Sequence, residues 1–309
     1  MAKIAELLAA GPTYSFEFPP PRNEEAVRNQ QKVLLELEPL GPSFCSVTYG
    51  AGGSTRDNTL ETVLYIHHHT SMVAMPHLTC VGQTRDEIEG LLVRYRDEGL
   101  DNILALAGDL PLEGPDEGDF TYAVELIELA RETCDFSVGV AAFPEIHPRS
   151  VSLESDRRFL AEKLRLADFA ITQFFWTADH YFRMVDELDA LGVSTPVIPS
   201  LFPVINVATA KRFTAVNGAE WPAWLSERLD PVADDPAEVR KIGIEVATRL
   251  GEELLAQDPP GLHIYTMNTA AAPKEVWRNL GLESAHERSD GERSSPASLG
   301  TERRRRRHD

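Results

Sequence analysis

An acidic residue stands where an apolar strand ends. In Tyr14-Ser15-Phe16-Glu17-Phe18-Pro19-Pro20-Pro21 aromatic side chains alternate with small or polar ones, which is the period of a β-strand, and the proline run then stops it. Glu17 is therefore delivered to the mouth of whatever that strand helps to build. A carboxyl shielded from water at such a place is the kind whose pKa rises and which donates a proton. The plain alternative is a strand-end charge facing water. Other residues able to do chemistry recur at the ends of apolar runs. They are Thr48 and Tyr49 before Gly50-Ala51-Gly52-Gly53-Ser54, His77 and Thr79, Asp109 in Gly108-Asp109-Leu110-Pro111, Phe143 with Glu145 and His147, Gln173 with Phe174 and Phe175, and Tyr265 with Asn268. Two carboxylates, an amide and aromatic walls suit a flat nitrogen heterocycle and proton-coupled chemistry. No nucleophile elbow and no phosphate loop accompany them. His67-His68-His69 are consecutive on a helical pattern, where successive side chains point in different directions, so no metal centre is expected.

The elements that must position these residues follow from the period of the pattern. Strand-like runs fall at 13–18, 44–50, 73–80, 102–109, 136–143, 169–176, 196–204 and 262–268. Amphipathic stretches such as 23–40, 84–100, 121–134 and 153–167 alternate with them, opened by capping residues such as Asn23, Thr84, and Ser152 or Ser155. Several strands are almost continuously apolar, as strands covered on both faces are. Eight βα units in one chain predict an α/β fold, a (β/α)8 TIM barrel spanning residues 1–283. The interval between Val204 and Leu262 is too long for one connection and predicts extra helices inserted after strand seven, over the top of the barrel. A doubly wound sheet with a dinucleotide site is not supported, since no strand is followed by GxGxxG.

Composition narrows the function classes. A net charge of −19 over 309 residues argues against nucleic acid as a partner. No apolar run approaches the ~20 residues of a membrane helix, and the opening MAKIAELLAAGP reads as a short amphipathic helix rather than a signal peptide. Cys45, Cys80 and Cys134 form no CxxC pair, hence neither a disulfide framework nor a zinc site, and a cytoplasmic location is expected. Residues 284–309 are rich in Ser, Gly, Glu and Arg and end in the Arg run 303–307, a composition that predicts a disordered charged tail. Composition leaves open a monomer or a small homo-oligomer.

The runs SFEFPPP, SVTYGAGGSTRD, PHLTC, ALAGDLP, AAFPEIHP and AITQFFW, in this order, resemble the methylenetetrahydrofolate reductase family, and the resemblance extends from about residue 13 to 282. It implies a barrel that reduces 5,10-methylenetetrahydrofolate to 5-methyltetrahydrofolate with NADH or NADPH, usually through FAD. Position by position, it implies that Glu17 assists proton delivery to the folate and that Asp109 binds the pterin and stabilises the developing cation. It implies that Gln173 fixes the pterin edge and that Phe213 stacks on the ligands, with Tyr265 and Thr48 lining the substrate site. Thr48, His77, Tyr122, Ala123, Asp156 and Lys163 fall where flavin-contacting residues lie. Structural alternatives stand beside these roles: Asp109 as a turn cap, His77 as a core histidine, Phe174 and Phe175 as core, Asp156 and Lys163 as surface charges on a helix.

The chain also departs from the family. Ala107 precedes the Gly-Asp-Leu-Pro turn where flavin-dependent members typically carry Arg, and Phe143 replaces a tyrosine. Thr269 stands where an arginine often follows Asn268, and Trp176 where a smaller or phenylalanine side chain is common. An alanine offers none of the donors an arginine presents to an anionic cofactor. The resulting expectation is retained folate chemistry with flavin binding weakened or lost, NAD(P)H passing hydride directly to the iminium carbon. The other readings are an ordinary FAD-dependent enzyme with ping-pong kinetics, a deazaflavin-dependent reductase of a related pterin, and a folate-binding sensor without catalysis.

Overall fold

Buried strands and amphipathic helices alternate until the last strand returns to the first. The computed structural model describes residues 1–49, 56–108 and 118–282; Asp109, the glycine-rich segment at 50–54 and the tail at 284–309 lie outside them. The strands are β1 (Thr13–Phe18), β2 (Phe44–Val47), β3 (Ala74–Thr79), β4 (Asn102–Leu106), β5 (Ser137–Ala142), β6 (Phe169–Thr172), β7 (Val197–Ile198), β8 (Ser200–Leu201) and β9 (Gly261–Tyr265). All pairings are parallel and follow chain order from β1 to β7, while β9 lies between β1 and β8. This is the expected (β/α)8 barrel with one correction. The run at 196–204 is not a single strand. Pro199 has no N–H to give to a ladder and splits the run into β7, which pairs with β6, and β8, which pairs with β9.

The helices are α1 (Ile4–Ala10), α2 (Glu24–Leu37), α3 (Arg56–His69), α4 (Arg85–Asp97), α5 (Ala123–Thr133), α6 (Leu153–Leu164), α7 (Ala178–Ala190), α8 (Val207–Val216), α9 (Ala223–Leu229), α10 (Pro236–Leu255) and α11 (Ala271–Asn279). Their starts are fixed by the capping chemistry read from the sequence. Asn23 Oδ1 accepts from the Ala26 N–H at 2.8 Å, Thr84 and Glu87 form a reciprocal box, and Ser152 rather than Ser155 caps α6. None of these helices is long and apolar enough to cross a membrane, among the described residues.

Three apolar layers hold the site in place. Inside the barrel, Phe44, Met75, Leu104, Phe169, Ile171 and Ile198 pack together, closed from below by Ile4 of α1. That plug is pinned by the Ile4 N–H donating to Asn102 Oδ1 at 2.7 Å and the Ala5 N–H donating to Ser137 Oγ at 3.1 Å. Gly139 on β5 makes room for the filling: a Cβ there would lie 2.5 Å from the Phe169 ring. A larger layer joins the barrel's outer face to its helices. A third cluster, Phe174, Trp176, Phe202, Val204, Leu225 and Leu229 among its members, lies beneath the helices that follow β8. Of those, α8 and α9 are the insertion. Helix α10 is the barrel's own, since Ile244, Ala247, Leu250 and Leu254 pack on the outer barrel layer, and the expected inserted segment is shorter by that helix.

Candidate functional site

The strand period turns Ser15 and Glu17 of β1 to the same side, and register carries that side across the neighbouring strands. Glu17 pairs with Ser46 on β2 and Tyr265 on β9; Ser15 pairs with His263 on β9. The result is a polar layer above the apolar filling. Glu17 is only 6% exposed, and His263 is fully buried. Glu17 Oε2 faces His77 Nε2 at 3.6 Å and His263 Nε2 at 3.5 Å. The His263 ring stacks on Phe44 with centroids 5.8 Å apart, which ties the polar layer to the core below. Its Nδ1 is 2.7 Å from Ser15 Oγ and its Nε2 is 3.2 Å from Ser46 Oγ. Burial pushes the His77 pKa down to about 4, against the opposing pull of Glu17, so this ring is neutral at physiological pH. His77 Nε2 has no hydrogen-bond partner among the described residues.

The backbone beneath the carboxylate is fixed from the far end of the chain. The Glu17 carbonyl accepts from both the N–H (3.0 Å) and the hydroxyl (2.6 Å) of Thr266. Asn268 Nδ2 donates to the Pro19 carbonyl at 2.9 Å, and Met267 and Asn268 both hold left-handed backbone, at φ 50° and 53°. Two consecutive non-glycine residues in that region carry strain of order 1–3 kcal/mol each, which persists only where the surroundings impose it. Thr48 lies half-buried at the end of β2, its N–H donating to the Phe18 carbonyl at 3.0 Å.

Across the mouth from Glu17, Gln173 follows β6. Its Oε1 accepts from the Tyr265 hydroxyl at 2.9 Å and from the Phe174 N–H at 3.0 Å. The carbonyl end of the amide is thereby engaged, which settles the flip state, and its NH2 group has no partner among the described residues. Burial, with the Glu17 charge adding to it, raises the Tyr265 pKa well above its ordinary value and keeps the phenol a donor. Phe213, half-buried on α8, reaches this region through Phe202: its ring lies 6.2 Å from Phe202, which lies 5.7 Å from Tyr265. Phe174 and Phe175 are core, at 2% and 1% exposure, as the plainer reading had it.

The residues assigned to the flavin divide. Thr48 and His77 belong to the mouth just described. Tyr122 and Ala123 stand at the start of α5, where the exposed Tyr122 ring is covered by the Arg149 guanidinium at 5.8 Å. Asp156 and Lys163 are not plain surface charges. Asp156 is 5% exposed and accepts from the His147 N–H (3.1 Å), Ser150 Oγ (2.7 Å) and Arg157 Nη1 (2.7 Å). Arg157 in turn holds the carbonyls of Phe143, Pro144 and Glu145, so the pair anchors the β5–α6 loop. Lys163 is half-buried, donates to the Ala141 carbonyl at 2.6 Å, and has its pKa lowered to about 8 by desolvation, with Asp156 opposing. Asp109 lies outside the described residues.

Sequence reasoning passed over His263, Ser15 and Ser46. The signal was present: His263 and Tyr265 are two apart on one strand and so share a face, as do Ser15 and Glu17.

An eightfold barrel with an acid, an oriented amide and aromatic walls gathered at the C-terminal ends of its strands belongs to the class of barrel enzymes that act at that mouth. A family model described as methylenetetrahydrofolate reductase matches residues 2–281, and the chain belongs to that family of oxidoreductases. It is 37% identical over 271 residues to the 5,10-methylenetetrahydrofolate reductase of Escherichia coli K12, covering 87% of this chain and 90% of that protein. It is 34% identical over 298 residues to methylenetetrahydrofolate reductase (NADH) 1 of Arabidopsis thaliana, covering 91% of this chain and 50% of that one. Among solved structures, a protein from Clostridium thermocellum that binds two copies of 5-methyl-5,6,7,8-tetrahydrofolic acid superposes with a TM-score of 0.68 at 14% identity, over 93% of this chain and 100% of that chain, a likeness of fold.

Proposed function

We propose that this chain reduces 5,10-methylenetetrahydrofolate to 5-methyltetrahydrofolate, taking hydride directly from NAD(P)H. The observation that carries the reading is the buried Glu17 carboxyl at the barrel mouth, set opposite a Gln173 amide whose carbonyl is already engaged and whose two N–H donors meet no acceptor among the described residues. The methylene carbon is held in a five-membered ring, and it becomes electrophilic when the ring opens to an iminium ion. Glu17 gives its proton to the departing nitrogen and the ring opens. Hydride from the nicotinamide then adds to the iminium carbon, leaving a methyl group and the oxidised nucleotide. A glutamate in a site shielded from water suits this acid role. Gln173 fixes the pterin edge and Phe213 stacks on the bound rings, with Thr48 and Tyr265 completing the wall. Asp109, by its place in the matched motif, supplies the negative charge beside the forming cation. The NADH in the Arabidopsis relative's name makes NADH the donor to test first.

FAD, usual in the family, would be held by Thr48, His77, Tyr122, Ala123, Asp156 and Lys163 and would supply a hydride shuttle. These residues fit it poorly. Three donors of the chain itself already occupy the Asp156 carboxylate, and Ala107 and Phe143 offer no donor where the family carries Arg and Tyr. One observation favours the flavin: Lys163 uses a single donor on Ala141, and its ammonium suits a phosphate.

The absorption spectrum of purified protein, with steady-state kinetics, separates the two. Direct transfer needs both substrates bound together, with reacting atoms at ~3–3.5 Å. It predicts no flavin bands at stoichiometric level and intersecting double-reciprocal lines. A yellow protein with parallel lines would overturn it.

A further inference from the structure

We propose that His263 is the positioning residue for Glu17, held in one orientation by a serine on each side so that its Nε2 edge faces the carboxylate. The proposal rests on the reading of Glu17 as proton donor and goes beyond it.

A fully buried imidazole inside a barrel must have both ring nitrogens satisfied, and an apolar side chain would fill the space without that demand. Here the demand is met by construction. Adjacent strands β9, β1 and β2 turn polar side chains to the same side: Ser15 is in register with His263, and Ser46 with Glu17, one step further toward the mouth. Ser15 Oγ lies 2.7 Å from Nδ1 and Ser46 Oγ 3.2 Å from Nε2, while Phe44 packs against the ring face at 5.8 Å. The ring has no freedom to turn away from Glu17.

The carboxylate depends on that ring. Among the described residues the Glu17 side chain makes no hydrogen bond. Two histidine nitrogens face its Oε2, at 3.5 Å for His263 and 3.6 Å for His77. The Nε2 of His77 has no hydrogen-bond partner among the described residues to steady it. His263 is clamped at both nitrogens, so it sets where Oε2 rests. A proton donor displaced by 1 Å from its productive place loses on the order of 10²-fold in rate, and contacts that are long without substrate tighten in the complex.

Two substitutions separate this role from packing. Asn at 263 places its amide near the Nδ1 position, keeping the Ser15 contact while vacating the edge that faces Glu17. Gln reaches the Nε2 position and restores a polar group beside Ser46 and Glu17. His263→Asn is expected to lower kcat by ~10–100-fold, with the dissociation constant for 5-methyltetrahydrofolate within about twofold of wild type. His263→Gln is expected to recover at least about tenfold of that loss if the full 10²-fold is seen, and most of it otherwise. Equal kcat in the two variants, or wild-type turnover in His263→Asn, would overturn the proposal. If neither variant gives a folded protein by circular dichroism, Ser46→Ala decides: a several-fold fall in kcat at unchanged folate affinity supports the clamp, and unchanged kcat overturns it. Glu17→Gln in the same assay keeps the two ideas apart. Wild-type turnover there removes the donor reading itself; loss of turnover there beside an unaffected His263→Asn removes only the role given to His263.

Discussion

Tyr265 shows how one hydroxyl is made to serve the site. Its O–H holds Gln173 Oε1 at 2.9 Å and so determines which end of the amide faces the mouth. Tyr265→Phe removes one of two donors to that oxygen, the Phe174 N–H remaining. A single such bond is worth about 0.5–1.5 kcal/mol. The expected result is a KM for the folate raised several-fold with kcat nearly unchanged, measured by steady-state kinetics. Lys163 yields a prediction of stability. Its folded pKa of about 8 lies below its ordinary 10.5, so between those values the unfolded chain binds more protons than the folded one. The charge penalty in the folded state is present in full below about pH 8 and is relieved as pH rises toward 10.5. In urea unfolding, the difference in stability between wild type and Lys163→Met should therefore move in favour of wild type across that window. A pH-independent difference would show that the lysine is well solvated.

At the level of elements, the strands were legible because period and burial coincide. The first was delimited at 13–18 as observed, and Asn23 and Thr84 marked the helix starts they cap. What the sequence concealed was set by contacts between distant segments. Pro199 was visible, yet whether it would end a strand or divide one depended on β6 and β9 each claiming one half. Asp156 was indistinguishable from a surface acid until the β5–α6 loop was seen folded over it. Glu17 stood out as a carboxylate at the end of an apolar strand that prolines stop; His263 did not, because its meaning comes from Ser15 and Ser46 on other strands. Gly243 is a case where an element's placement rests on one missing atom. A Cβ there would lie 1.9 Å from the Val204 carbonyl oxygen, so α10 approaches the end of β8 only as closely as glycine allows. Backbone cannot yield as a side-chain tip does. Gly243→Ala is expected to destabilise by roughly 1–3 kcal/mol, whereas Gly90→Ala on α4, with open space around it, should be neutral or mildly stabilising. Equal melting temperatures for the two variants would refute the close approach.

For the whole molecule, the barrel and its last helix account for the described fold up to Leu282. That residue is 5% exposed, and its N–H donates to the Trp277 carbonyl at 3.2 Å. The composition of 284–309 offers little apolar surface to offset ordering. A chain ending at Leu282 should therefore keep its melting temperature and turnover, and a fall of many degrees would show that the removed segment docks on the barrel.

The ladder between β1 and β9 has a consequence in time. Ser15 and His263 are 248 residues apart in sequence, yet they share one bond. The acid at 17 is synthesised well before its imidazole neighbour at 263. A ribosome releasing this chain has made most of the helices before the second wall of the site exists, and no shorter nascent form can hold the Glu17 carboxylate against its partner. Contacts of such separation carry a large loop-closure cost, and folds rich in them form slowly. Enzymatic turnover in this protein is thus a reporter of closure: activity is expected to return on refolding only when β1 and β9 have paired, and turnover regained before that pairing would refute the dependence.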